Sequence, residues 1–263
     1  MTAGPAVAGW TADEMMTVTA ARTLAGRTSC FVGIGLPSTA ANLARRTCSP
    51  DLALIYESGA IGAKPTTLPL SIGDGELGET ADAVVSVPEI FNYWLQPGRV
   101  DVGFLGAAQV DRRGNINTTV IGDYREPAVR LPGAGGAPEI AASCRETIVV
   151  VRHRPRTLVD RLEFVTSLGF GDGPGHRAAL GLRGRGPTQL ITDLGVLEPD
   201  DETCELTLAS IHPGVAVEAV RAATGWPLTV RTDLRVTEPP TDAELTALRS
   251  LTTRSSTKGG DVA

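Results

Sequence analysis

Glu57 stands where a carboxylate can do covalent chemistry. Residues 51–56 read as a short apolar strand that runs directly into Glu57-Ser58-Gly59, with Gly62 close behind. Glycines let the backbone turn sharply, so the charged side chain is delivered to a strand end, the part of an α/β sheet where loops and ligands gather. A glutamate side chain, with an ordinary pKa of about 4.3, is an anion at neutral pH. Such a carboxylate can attack a thioester and form an acyl-glutamyl anhydride, and the released thiolate can then attack the glutamyl carbonyl to give an enzyme thioester. Little of the thioester's energy is lost on this route, provided that water is kept out. Taken from composition alone, the same position is more ordinary for a glutamate that caps or solvates a turn.

A second group lies in residues 132–140, where Gly133-Ala134-Gly135-Gly136 leads into a helix near Pro138. A glycine-rich loop entering a helix points free backbone N–H groups outward, suited to a phosphate or an oxyanion. It is neither G-x-G-x-x-G nor a P-loop, since no Gly-Lys-Ser/Thr follows; a tight strand-to-helix turn is the plainer reading. Gln109, Asn115 and Asn117 lie beside an apolar strand. They suit contact with a substrate or an adenine nucleotide, and equally the satisfaction of backbone groups in a turn. Lys64 follows the Glu57 turn and reads as a solvated lysine or as a guide for an acidic substrate. His153, His176 and His212 are scattered with no Ser–His–Asp order, and read as structural or exposed.

The elements that must hold these groups alternate between strand and helix. Thr11 and Glu14 form a T-x-x-E capping box, followed at helical spacing by Met15, Val18, Ala21 and Leu24, with Gly26 as the stop. Strands are expected at 29–34, 51–56, 102–110, 147–152 and 163–167, and a hairpin from 188–198 and 204–211. Helices are expected from Pro37 to about Thr47, over 88–95, from near Pro138, between Gly214 and Gly225, and after a second capping box at Thr241 and Glu244. The pattern predicts one α/β domain over 11–253: an open, mainly parallel sheet flanked by helices, with a smaller β-rich C-terminal portion from about 145. Residues 1–10 read as a flexible arm and 254–263 as a disordered tail.

The 263 residues suffice for a proper core. A formal charge of -6 argues against non-specific nucleic-acid binding. No apolar run approaches the roughly 18 residues of a membrane span, and no secretory signal is expected at the N-terminus. Cys30, Cys48, Cys144 and Cys204 form no CxxC pair and no zinc spacing, so no metal is expected and the thiols read as reduced, buried or half-buried groups of a cytoplasmic protein.

Together these motifs resemble the class I CoA-transferase family in its β-subunit form. Phe31-Val32-Gly33-Ile34-Gly35-Leu36-Pro37 precedes the Glu-Ser-Gly motif at 57–59, then come Gly106 to Asn117, Ile121-Gly122-Asp123-Tyr124, the 133–137 loop, Phe164-Val165-Thr166-Ser167 and Gly171-Asp172-Gly173-Pro174-Gly175. The Glu-Ser-Gly form is similar to the glutaconate branch, and residues 56–65, 70–82 and 104–140 are most similar to the branch acting on 3-oxoadipate. The resemblance spans about 11–235 and implies Glu57 as nucleophile, Gly135, Gly136 and Ala137 as the oxyanion and CoA loop, and Ser58, Gly59, Gln109 and Asn115 as pocket candidates. It further implies ping-pong transfer of CoA from succinyl-CoA to a dicarboxylate acceptor such as 3-oxoadipate in aromatic-compound catabolism. No permanently bound cofactor is implied, and the partner is an α subunit in a heterodimer or an α2β2 assembly. The alternatives are another dicarboxylate such as glutaconate, a CoA-thioester hydrolase or decarboxylase of the same fold, and a CoA-binding regulatory subunit.

Overall fold

Apolar runs without polar alternation form the centre of a sheet covered on both faces. The computed structural model describes residues 9–258, with side chains described to residue 251. In chain order the first half comprises α1 (Ala12–Arg22), β1 (Ser29–Val32), α2 (Leu36–Arg46), β2 (Ala53–Ile55), β3 (Ala60–Ile61), α3 (Gly75–Glu79), β4 (Ala83–Val84) and α4 (Val87–Glu89), the last continued by a π-helical turn, Ile90–Leu95. Next come β5 (Val102–Leu105), β6 (Gln109–Asp111), β7 (Ile116–Asn117), β8 (Val120–Gly122), β9 (Pro127–Arg130), α5 (Ala137–Ser143) and β10 (Glu146–Val150). The chain continues through β11 (Leu158–Val159), α6 (His176–Ala179), β12 (Pro187–Ile191), β13 (Gly195–Pro199), β14 (Leu206–Ile211), α7 (Val217–Ala222), β15 (Val230–Val236) and α8 (Asp242–Lys258).

Among the described residues ten strands form the main sheet, in the order β15-β14-β13-β12-β10-β5-β1-β2-β3-β4. Its centre, β12-β10-β5-β1-β2, is parallel throughout. Antiparallel pairs flank it, β2-β3-β4 on one side and β12-β13-β14 on the other. The fold is thus the open, mainly parallel α/β sheet expected, and the β-rich C-terminal portion is continuous with it. Successive strand residues serve opposite faces. Cys30, Val32, Leu54, Tyr56, Val102, Phe104, Ile148 and Val150 join Met16, Leu43 and Leu248 in one core, under α1, α2 and α8. Phe31, Ile55, Leu105 and Val149 join Ile90, Leu95 and Ile140 in the other, under α5 and the π-helical turn. Each fully buried Leu, Ile or Phe stabilises by about 1.5–3 kcal/mol relative to exposure.

Both capping boxes form, and each also ties one helix to the other. Thr11 N donates to Glu14 Oε2 at 2.8 Å, and Thr241 N to Glu244 Oε2 at 2.8 Å. Glu14 pairs with Arg249 of α8, while Glu244 pairs with Arg22 of α1, each at 2.7 Å. Burial pushes the Glu244 carboxyl up, but Arg22 and Thr241 outweigh it and hold the group at about 2.

Four expectations are corrected. The strand over 102–110 is two strands, because at residues 106–108 the chain leaves the main sheet for a small one, β11-β6-β7. The strand at 188–198 folds back at Thr192, whose Oγ1 accepts from Leu194 N at 3.2 Å and Gly195 N at 3.1 Å; apolar periodicity does not register such a side-chain turn. Residues 163–167 are irregular apart from one bridge, Ser167 to Ile116. The Cys48 thiol is exposed rather than covered. The last helix, α8, reaches Lys258, within the segment expected as a tail; residues 259–263, like residues 1–8 of the arm, lie outside the described residues. No described helix is long and apolar enough to cross a membrane.

Two of the histidines are buried beside Thr192. His153 Nδ1 lies 3.1 Å from Thr192 Oγ1 and its Nε2 2.8 Å from Thr224 Oγ1; His212 Nε2 lies 2.8 Å from Thr192 O. Burial pushes His153 down to about 4 and His212 down as well. With a folded pKa below the unfolded one, the unfolded chain binds the proton more readily, so stability falls as pH drops from about 6.5 towards 4. Urea unfolding of the wild type should lose on the order of 3 kcal/mol more over this window than His153→Gln. Parallel profiles for the two proteins would contradict the buried neutral imidazole.

Candidate active site

The turn presenting Glu57 is closed by its own backbone. Gly59 N donates to Tyr56 O at 3.0 Å and Tyr56 N to Ala60 O at 2.9 Å, which places Glu57 and Ser58 at the two corners of the β2–β3 hairpin. The fully buried Tyr56 anchors the strand end, its hydroxyl accepting from Asn42 Nδ2 of α2 at 3.3 Å. Gly59 has φ 108°, and a methyl group there would lie 2.0 Å from Val85 O. Gly59→Ala is therefore expected to destabilise by about 3 kcal/mol in urea unfolding. A loss below about 0.5 kcal/mol would show that the turn accepts a side chain.

Tyr56 enters the α2 face, so alternation turns Glu57 to the opposite face, towards α5. A methyl group added at Gly136, the residue before α5, would lie 3.3 Å from the Glu57 carboxyl carbon and 2.9 Å from Phe91 Cζ. Phe91 comes from the π-helical turn and packs against Phe31, ring centroids 6.3 Å apart. Glu57 is half-buried, and among the described residues its carboxylate has no hydrogen-bond or ion-pair partner. By contrast, Glu14, Glu146, Glu198 and Glu244 are each held by an arginine.

Glu57, Gly135, Gly136 and Ala137 line one cleft of about 180 Å³, walled by Phe31, Ile34, Ile72 and Phe104. The loop over it is fixed from both sides. Gly133 N donates to Thr118 O at 2.8 Å, and Ala137 N to Ala134 O at 3.1 Å. The N–H groups of Gly135 and Gly136 donate to no acceptor among the described residues. Of the three loop residues, then, Ala137 has its amide engaged and the two glycines keep theirs free. A thioester carbonyl in this cleft would meet a carboxylate nucleophile and amide donors together, the pairing that acyl transfer requires.

Other sequence candidates sit elsewhere. Ser58 and Gly59 shape the turn and do not line the cleft. Asn115 is wholly engaged: Nδ2 donates to Asp111 Oδ2 and Gly171 O, and Oδ1 accepts from Gly169 N and Gly171 N. Gln109 Oε1 accepts from Asn117 Nδ2 at 3.0 Å, and neither residue lines the cleft. Lys64 pairs with Asp82. Sequence reasoning missed Phe91 and Arg177. The latter, buried, donates to the carbonyls of Leu168, Gly169, Gly184 and Ala141, the last tying down α5 behind the glycine loop. An arginine within a glycine-rich stretch carries no signal of this in sequence.

Comparisons with known proteins bear on the family and the fold. A family model described as Coenzyme A transferase matches residues 13–223. The chain is 59% identical over 254 residues to the B-type subunit of 3-oxoadipate CoA-transferase from Pseudomonas knackmussii, covering 97% of this chain and 98% of that one. It is 37% identical to the B-type subunit of glutaconate CoA-transferase from Acidaminococcus fermentans, over 88% of each. The crystal structure of glutaconate coenzyme A-transferase from Acidaminococcus fermentans superposes with a TM-score of 0.86 at 34% identity, covering 92% of this chain and 95% of that one.

Proposed function

The chain belongs to the coenzyme A transferase family, and from that premise we propose that it is the glutamate-bearing B-type subunit of a 3-oxoadipate:succinyl-CoA transferase. The unpartnered Glu57 carboxylate, beside the free N–H groups of Gly135 and Gly136 in one cleft, carries this reading. A Glu57 oxygen attacks the succinyl thioester carbonyl, the C–S bond breaks, and CoA leaves as thiolate. The thiolate attacks the glutamyl carbonyl of the anhydride, giving glutamyl-CoA and free succinate. The acceptor carboxylate then repeats both steps in reverse order and leaves as its CoA thioester, with Glu57 restored. Gly135 and Gly136 donate to the oxyanion formed in each addition. The apolar walls keep water from the anhydride.

The high identity to the 3-oxoadipate relative supports that acceptor. An α-type partner is supported by the segments that flank the cleft, where Leu70, Val84 and Tyr93 are 67%, 64% and 62% exposed; exposed apolar side chains of this kind suit burial by a second chain. The test is the reconstituted pair assayed with succinyl-CoA against a panel of dicarboxylates. 3-Oxoadipate should give the highest kcat/KM. Preference for glutaconate would move the enzyme to another branch, and CoA release without acceptor at the turnover rate would make it a hydrolase.

A further inference from the structure

The cleft at Glu57 does not end at its own walls. Ile34, Pro37 and Gly106 line both it and a neighbouring cavity of about 480 Å³, so the two form one groove along the C-terminal ends of the parallel strands. The far side of this groove carries Arg152, Arg154 and Arg156, alternate residues of the segment that leaves β10. We infer that Arg154 and Arg156 bind the phosphate groups of CoA, with the pantetheine arm crossing Gly106-Ala107-Ala108 and the sulfur at Glu57. This assignment rests on the CoA-transfer reading of the same cleft.

Distance favours phosphates over a substrate carboxylate. β2, which ends before Glu57, and β10 are separated by β1 and β5, three strand spacings or about 14 Å. Ile55, Phe31, Gly103 and Thr147 form one row across these strands, so Arg154 and Arg156 lie further out along the strand direction than Glu57. The far carboxylate of a short dicarboxylic acid held at Glu57 is only a few carbon–carbon bonds from the reacting carbonyl, too near for these arginines. An extended pantetheine arm covers such a distance. The groove floor between is made of small side chains, which leaves it open.

The guanidinium groups are available to different degrees. Arg152 is held by Asp13 at 2.6 Å. Arg154 Nη1 donates to His153 O at 3.1 Å and lies 3.4 Å from Asp193 Oδ2, leaving its other nitrogens free. Arg156 is exposed and has no partner among the described residues. Planar guanidinium forks match phosphate oxygens in pairs.

Calorimetric titration of the assembled complex with CoA, 3′-dephospho-CoA and pantetheine tests this. Arg154→Ala and Arg156→Ala should each weaken CoA binding about tenfold while leaving pantetheine binding unchanged. Unaltered CoA affinity in both variants would overturn the assignment. So would equal weakening of pantetheine, or a raised KM confined to the acceptor acid. Binding is read without turnover, so a complex that shows the arginine dependence yet only hydrolyses thioesters would uphold this subsite and remove the transfer reading.

Discussion

Glu57→Ala is expected to lower kcat for CoA transfer by on the order of 10,000-fold or more, with the subunits still assembled. In the proposed mechanism the side chain supplies the bond-forming atom in both covalent intermediates, so no residual route through the same chemistry remains. Stability should change by less than about 0.5 kcal/mol, because the carboxylate has no partner among the described residues that its loss would strand. Glu57→Asp keeps the charge but draws it back by one methylene, away from the reacting carbonyl, and should lose about 100-fold. Steady-state kinetics and size-exclusion chromatography of the purified complexes read both parts. Substantial transfer by Glu57→Ala would remove Glu57 from the chemistry.

Gly136→Ala is the second large effect, and it acts through space rather than charge. The added methyl group would stand 2.9 Å from Phe91 Cζ and 3.3 Å from the Glu57 carboxyl carbon. Both neighbours are side chains, so the fold survives and the Glu57 carboxylate moves. Displacement of a reacting group by about 1 Å costs about 100-fold in rate, and kcat is expected to fall by that factor with little change in Tm. Phe91→Ala combined with Gly136→Ala gives the methyl group room and should recover part of the loss, a coupling that separates crowding from a general defect. Wild-type kcat in Gly136→Ala would show that the glycine is not needed for the carboxylate's position.

Much of this is legible in the amino-acid sequence. The alternation of Leu54, Ile55 and Tyr56 and the glycines at 59 and 62 place Glu57 at a strand end, and the T-x-x-E boxes mark the starts of α1 and α8. The glycine loop before Pro138 is recognisable by composition, but its approach to Glu57 is not, since the two lie about eighty residues apart in the chain and meet because α5, which the loop enters, packs against β5 and the π-helical turn. Asn115 and Gln109 look like pocket residues because polar side chains beside an apolar strand serve ligands and backbone equally well; the hydrogen bonds of Asn115 run to Asp111 and to the backbone of residues 169–171, and that of Gln109 runs to Asn117. The break at Thr192 escapes periodicity because a hydroxyl, not a glycine or proline, makes that turn. The role of Arg177 depends on four carbonyls gathered from three separate segments, which no local pattern can encode.

The central claim, that Glu57 carries the transferred group, is tested most directly by trapping. The assembled complex, given succinyl-CoA without an acceptor acid, should accumulate a glutamyl-CoA thioester. Borohydride reduction or hydroxylamine treatment followed by peptide mass spectrometry should place the modification on Glu57, and addition of acceptor before trapping should discharge it. A complex that turns over while Glu57 remains unmodified would contradict the account.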